Sequence, residues 1–172
     1  PANAILRYKY GMAVEEQSAG QRNKEPYNRF ISMNFMICRD AFLKVRFDET
    51  FHLGYEDTLF GMQLEQAGVE ILHIDNPVYH LVEENSEQFL MKIRRAVRNL
   101  DGHIEQMHSH VKLLRWYACV KRLGMAPLVA FLFRQIEKRL VSNLTSRKPS
   151  LKLFAFYKLG YLCNFLSQKK PD

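Results

Sequence analysis

Gly54-Tyr55-Glu56-Asp57-Thr58-Leu59 sets two adjacent acids at the start of a helically spaced run that ends at Gly68. At about 100° per residue, Glu56, Phe60, Gln63 and Ala67 share one face and Asp57 lies about a right angle away. One acid is expected to point inward and its neighbour sideways. Acids in a first turn are favoured by the helix dipole, and Asp is a good N-cap, so helix initiation accounts for the pair taken alone.

The surroundings add more. Residues 30–37 are apolar and partly β-branched, with Asn34 the polar residue inside the run, and Arg39 to Leu43 begins a short helix. Asn34 reads either as a hydrogen-bonded core or turn amide or as a substrate-facing one. Phe47-Asp48-Glu49 is expected to brace a turn. Beyond Gly68, Val69, Ile71 and His73 alternate with Glu70, Leu72 and Ile74 as a strand does, which makes His73 a packing or surface residue. Asp75-Asn76-Pro77 then turns the chain into a second extended piece, residues 78–81, which carries His80.

In this order and spacing, Asn34, Phe47-Asp48-Glu49, Gly54-Tyr55-Glu56-Asp57, Gly68 and Asn76-Pro77-Val78-Tyr79-His80 resemble the C-terminal half of family 2 glycosyltransferases, over roughly residues 20–82. The resemblance implies an α+β fold. Residues 1–84 would be the acceptor-side half of a GT-A, Rossmann-like α/β domain with short strands, and residues 85–172 a basic amphipathic helical extension. It implies an inverting glycosyltransferase that moves a sugar from a nucleotide-sugar donor to a glycan or lipid-linked acceptor hydroxyl, in cell-surface polysaccharide or glycan assembly. Asp57 would be the catalytic base and Glu56 the orienting acid, with Asn34, Gly54 and Tyr55 on the acceptor side and His80 on the metal or diphosphate.

A divalent metal, Mn or Mg, would be held mostly by an upstream half of the same protein. The Asp-x-Asp motif that carries it in the family occurs nowhere in these 172 residues, so the chain is expected to be a C-terminal piece, inactive alone. Many relatives also have Arg where Gln63 stands. Arg would pair with a buried Glu, whereas Gln only hydrogen-bonds it.

Composition bounds the remaining possibilities. A hydrophobic content of 47% with 12% aromatics excludes a disordered chain. The widely spaced Cys38, Cys119 and Cys163 read as free core thiols of a reducing compartment, and no Cys or His spacing suggests zinc. The net charge of +7 hides an asymmetry: residues 1–90 hold 8 Lys and Arg against 14 Asp and Glu, and residues 91–172 hold 17 against 4. The second part is where an anionic surface would be met.

Asn85 and Gln88 have capping-box spacing ahead of a stripe of Phe89, Ile93, Ala96, Val97 and Leu100, with Arg94, Arg95 and Arg98 on the far side. Gly102 stops that helix. A second is expected from Ile104 through Ala118 to Gly124, and a third from Pro127 to about Leu144. After a short linker, residues 151–166 form an apolar, aromatic helix. Residues 5–11 are mixed in pattern and 14–27 read as a loop.

Packing is expected for 85–122, and membrane or partner contact for 125–168. The longest uncharged runs of this half, such as 123–133, fall short of the ~18–20 residues of a spanning helix. The expected location is therefore cytoplasmic, with peripheral contact at the inner face of the membrane. The alternative function is a basic helical binding module for an anionic membrane or nucleic acid, though no nucleic-acid motif is visible.

Overall fold

The computed structural model describes residues 3–49, 51, 54–79, 81 and 83–169, and among them every regular element is helical. The chain runs through α1 (Ile5–Tyr10), which passes into a π-helical turn (Gly11–Glu15), then α2 (Ala19–Arg22) and a 3-10 turn (Tyr27–Arg29). Next come α3 (Arg39–Lys44), α4 (Glu56–Gln66), α5 (Ser86–Asn99) and α6 (Ile104–Met107). Finally α7 (Lys112–Arg122), α8 (Ala126–Leu144) and α9 (Leu151–Gln168) complete the fold.

This corrects the α+β expectation. Residues 30–37, 69–74 and 78–79 contain no strand. Residues 69–74 do alternate as expected, with Val69, Ile71 and His73 half-buried and Glu70, Leu72 and Ile74 exposed. What is missing is a neighbouring strand, without which an extended backbone closes no ladder. A side chain stands in for it: Asn23 donates from Nδ2 to the His73 carbonyl and accepts the His73 N–H at Oδ1, both at 2.8 Å.

Where local chemistry sets an element, the expected boundary appears. At the start of α5 the Asn85 side chain accepts the Gln88 N–H and the Gln88 side chain accepts the Asn85 N–H, each at 2.9 Å. Pro127 sits in the first turn of α8, where its missing N–H costs nothing. Gly68, Gly102 and Gly124 all have positive φ just past helix ends.

Two elements differ. Residues 5–15 are helical because Leu6 is fully buried and the buried Arg7 bridges Glu15 (2.8 Å) and Glu84 (3.5 Å). The helix expected from Ile104 to Gly124 is broken between α6 and α7. Extended backbone at Val111 (φ −96°, ψ 109°) keeps Met107 and Val111 buried and turns Leu113, Leu114 and Tyr117 into the core.

The main core lies between α5, α7, α8 and α9 and is closed by Leu6, Phe51, Leu59 and Met62, so it crosses the change of composition at residue 85. Gly160 brings α9 onto Phe133 of α8, where a Cβ would come within 2.6–2.9 Å of the ring. A second core gathers Phe30, Val45, Phe60 and Leu64, with Phe47 stacked on Phe60 at 4.1 Å. Helix α4 feeds both cores from opposite flanks.

Arg94 and Arg98 are also corrected. They do not point away from the core helices but lie over α9: Arg94 bonds the Tyr157 hydroxyl and Glu137, and Arg98 bonds the Tyr161 hydroxyl. Both guanidinium groups sit 5–6 Å from the ring centroid of Tyr161, close enough for cation–π attraction.

Lys158 on α9 rests between the rings of Tyr10 (5.0 Å) and Phe154 (4.8 Å). Burial, and then the charge of Lys112, push its ammonium down to about 8 from 10.5. The folded chain therefore sheds this proton while the unfolded chain keeps it, and stability rises with pH above about 8. Burial of Cys163 raises its thiol to about 11 from 9.0, which opposes the rise above pH 9. Between these limits wild type should gain up to roughly 1 kcal/mol per pH unit, and Lys158→Met should abolish the slope. Urea midpoints across that window decide it: an equal slope in both proteins removes Lys158 as the source.

Candidate active site

The acids of α4 are positioned by two consecutive residues in left-handed conformation, Gly54 (φ 78°) and Tyr55 (φ 71°, ψ 0°). A left-handed conformation is strained for a non-glycine residue. Two contacts impose it. Gly54 lies against Ala96 of α5 so closely that a Cβ would approach the Ala96 Cβ to 2.3 Å, and the Tyr55 ring packs against the main core. Burial, with Tyr10 close by, raises the Tyr55 phenol above its ordinary value, so it stays protonated.

Tyr55, not an acid, occupies the N-cap, and its side chain makes no capping bond. Glu56 and Asp57 are the first two residues of the helix, so Asp57 does not act as a cap. Both are half-buried, and Glu56 Oε2 and Asp57 Oδ1 are buried with no hydrogen-bond partner among the described residues. One helical face further along, Gln63 Oε1 is in the same condition. The inward-and-sideways assignment is only partly met: Phe60 on the Glu56 face is fully buried, but Ala67 is exposed.

An unpartnered buried acceptor is costly, and three of them lie on this one helix. Gln63 also lines an open groove of about 320 Å³ with Lys44, Val45 and Arg46. A larger groove of about 600 Å³, lined by Glu83, Gln88, Lys92 and Arg95, does not include the α4 acids.

The other expected site residues are placed differently. Asn34 is exposed, and its Nδ2 donates to the Asn76 carbonyl at 3.0 Å, so it ties residues 30–37 to the 75–77 turn. His80 lies outside the described residues. Among the described residues no three His, Cys, Asp or Glu side chains are grouped to hold a metal, and no step is derived through one. Sequence reasoning missed Arg7, whose bridge to Glu15 and Glu84 joins the first helix to the approach of α5. Its only local signal is the neighbouring Leu6 within a short mixed run. No family model matches the chain, and neither does any curated protein or solved structure.

Proposed function

We propose that this chain carries the acceptor side of an inverting glycosyltransferase, with Asp57 as the base. The observation that carries the reading is the pair of adjacent carboxylates on the strained Gly54–Tyr55 turn, each with a buried oxygen lacking a partner. In the reaction an acceptor hydroxyl gives its proton to the Asp57 carboxylate as its oxygen bonds the anomeric carbon. The bond from that carbon to the diphosphate breaks on the opposite face, and the nucleoside diphosphate leaves with the electron pair. An alcohol needs such a base within hydrogen-bond reach, because it is a weak nucleophile while protonated. Glu56 orients the acceptor by accepting a second hydroxyl.

The donor nucleotide is assigned to a further part of the polypeptide. Supporting this, the chain has neither an Asp-x-Asp nor a Gly-rich phosphate loop. The nucleic-acid form of the alternative is weakened by Arg94 and Arg98, which are engaged within the fold.

The test is release of nucleoside diphosphate by the full-length gene product, supplied with a panel of uridine and guanosine diphosphate sugars and with mixed glycan acceptors. Release that depends on acceptor supports the reading. A folded full-length protein that binds sugar nucleotides but never turns them over with acceptor removes it.

A further inference from the structure

From residue 106 to residue 169 the only acid is Glu137, against 12 Lys and Arg, and Glu137 is already paired with Arg94. This is a positive surface almost without internal compensation, and its cations are not arranged at random. At about 100° per residue, Lys112, Arg115, Trp116, Cys119 and Arg122 share one arc of α7, and all are exposed. On α8 the exposed arc starts apolar with Leu128, Phe131 and Leu132 and ends cationic with Lys138 and Arg139.

The two helices meet at a bend of 115°. Around that bend large apolar residues are exposed beside Lys121 and Arg122: Leu123 is 63% exposed, Leu128 and Phe131 each 50%, and Trp116 on the α7 arm 57%. An apolar knee thus lies between two cationic arms. Leu128 and Lys138 are ten residues apart, about 15 Å along the helix, so the knee can enter the acyl boundary while the cations stay among headgroups. No single described helix is long and apolar enough to cross a membrane.

We propose that the α7–α8 knee docks on an anionic lipid surface, with Trp116, Leu123, Leu128 and Phe131 inserted and Lys112, Arg115, Arg122, Lys138 and Arg139 on the phosphates. Three occupants were possible in principle, and charge with apolarity separates them. A second copy docked face to face sets like charges against one another. Nucleic acid satisfies the cations, but Leu123 and Leu128 gain nothing from a phosphate backbone, and bases could stack only on Trp116 and Phe131. A bilayer interface takes both, since long cationic side chains keep their charged heads in the headgroup layer while their stems cover apolar surface.

The proposal does not rest on the transferase reading, and its test does not measure transfer. Trp116 is the only tryptophan of these 172 residues, so in this chain its emission reports on this face alone. Adding vesicles of phosphatidylcholine with about one-third phosphatidylserine should shift the emission to the blue and carry the protein up a flotation gradient. Phosphatidylcholine alone should do neither, and high salt should reverse the effect. Lys138→Glu with Arg139→Glu, both at the surface, should weaken the apparent affinity at least about thirtyfold. Circular dichroism checks that this variant keeps its helices.

Unchanged emission with the anionic vesicles at low salt overturns the proposal, as does equal binding to both vesicle types. An equal shift with a single-stranded oligonucleotide, or a shift that grows with protein concentration without lipid, also overturns it and assigns the face to nucleic acid or to a second copy.

Discussion

Replacing Gly54 with alanine is expected to lower the unfolding free energy by roughly 3 kcal/mol, the largest single-site loss of stability argued from this structure. Two costs add. The left-handed φ of 78° is strained for any residue with a Cβ, by about 1–2 kcal/mol. The new Cβ would also lie 2.3 Å from the Ala96 Cβ and 3.1 Å from its Cα, which no rotamer change relieves. Either α4 moves off α5 or the turn opens, and overpacking of this kind costs about 1–3 kcal/mol. For a chain of this length the melting temperature should fall by about 9 °C.

The companion variant separates the two terms. Ala96→Gly alone costs about 1 kcal/mol in a helix interior. Combined with Gly54→Ala it removes the 2.3 Å contact and leaves the backbone strain and the 3.1 Å approach to the Cα at position 96. The double variant should therefore be less destabilised than the sum of the singles, and the coupling measures the contact. Strict additivity, or a Gly54→Ala variant that melts with wild type, would show that the α4–α5 approach is not as described.

The second large effect is chemical. On the proposed function, Asp57→Asn in the full-length protein should reduce acceptor-dependent transfer by about 10²–10⁴-fold, the range expected when a positioned general base is lost. Asparagine keeps the shape of the side chain and its hydrogen-bonding oxygen but cannot take a proton at neutral pH. Its structural cost is small. A negative charge in the first turn contributes about 0.3–1 kcal/mol through the helix dipole, and relieving a buried carboxylate oxygen that has no partner offsets part of it. Melting temperature and donor-nucleotide affinity should stay near wild type while turnover collapses.

That combination distinguishes a base from a structural acid. Turnover within a few-fold of wild type takes Asp57 out of the mechanism, and parallel loss of folding or donor binding assigns it a structural role. Glu56→Gln should lose less, because an orienting acceptor can still be an amide oxygen.

The helix that carries the candidate site was legible from residues 54–68: the acids open it and Gly68 follows its end. The left-handed Tyr55 was not legible, because tyrosine has no preference for that conformation and takes it only where its ring is held in a core. Nor was the state of the acid oxygens, since partners for Glu56 and Asp57 would come from residues far away in the chain. Asn34 sits among apolar neighbours in the sequence yet reaches the Asn76 carbonyl, a choice made across 42 positions.

By itself the sequence determined where several of the helices begin or end. The Asn85–Gln88 box, Pro127, Ser150 and the glycines at 68, 102 and 124 act on backbone groups within about one turn, so no distant partner is needed. The tertiary structure alone decided the rest. A period-two run such as residues 69–74 becomes a strand only beside another strand, and here it is held by one asparagine side chain. Arg94 and Arg98 carry full charges that look free of the fold on a helical wheel, but each bonds a tyrosine hydroxyl of α9. Capping satisfies groups already next to each other, whereas ladders, buried charges and strained turns wait on what folding brings to them.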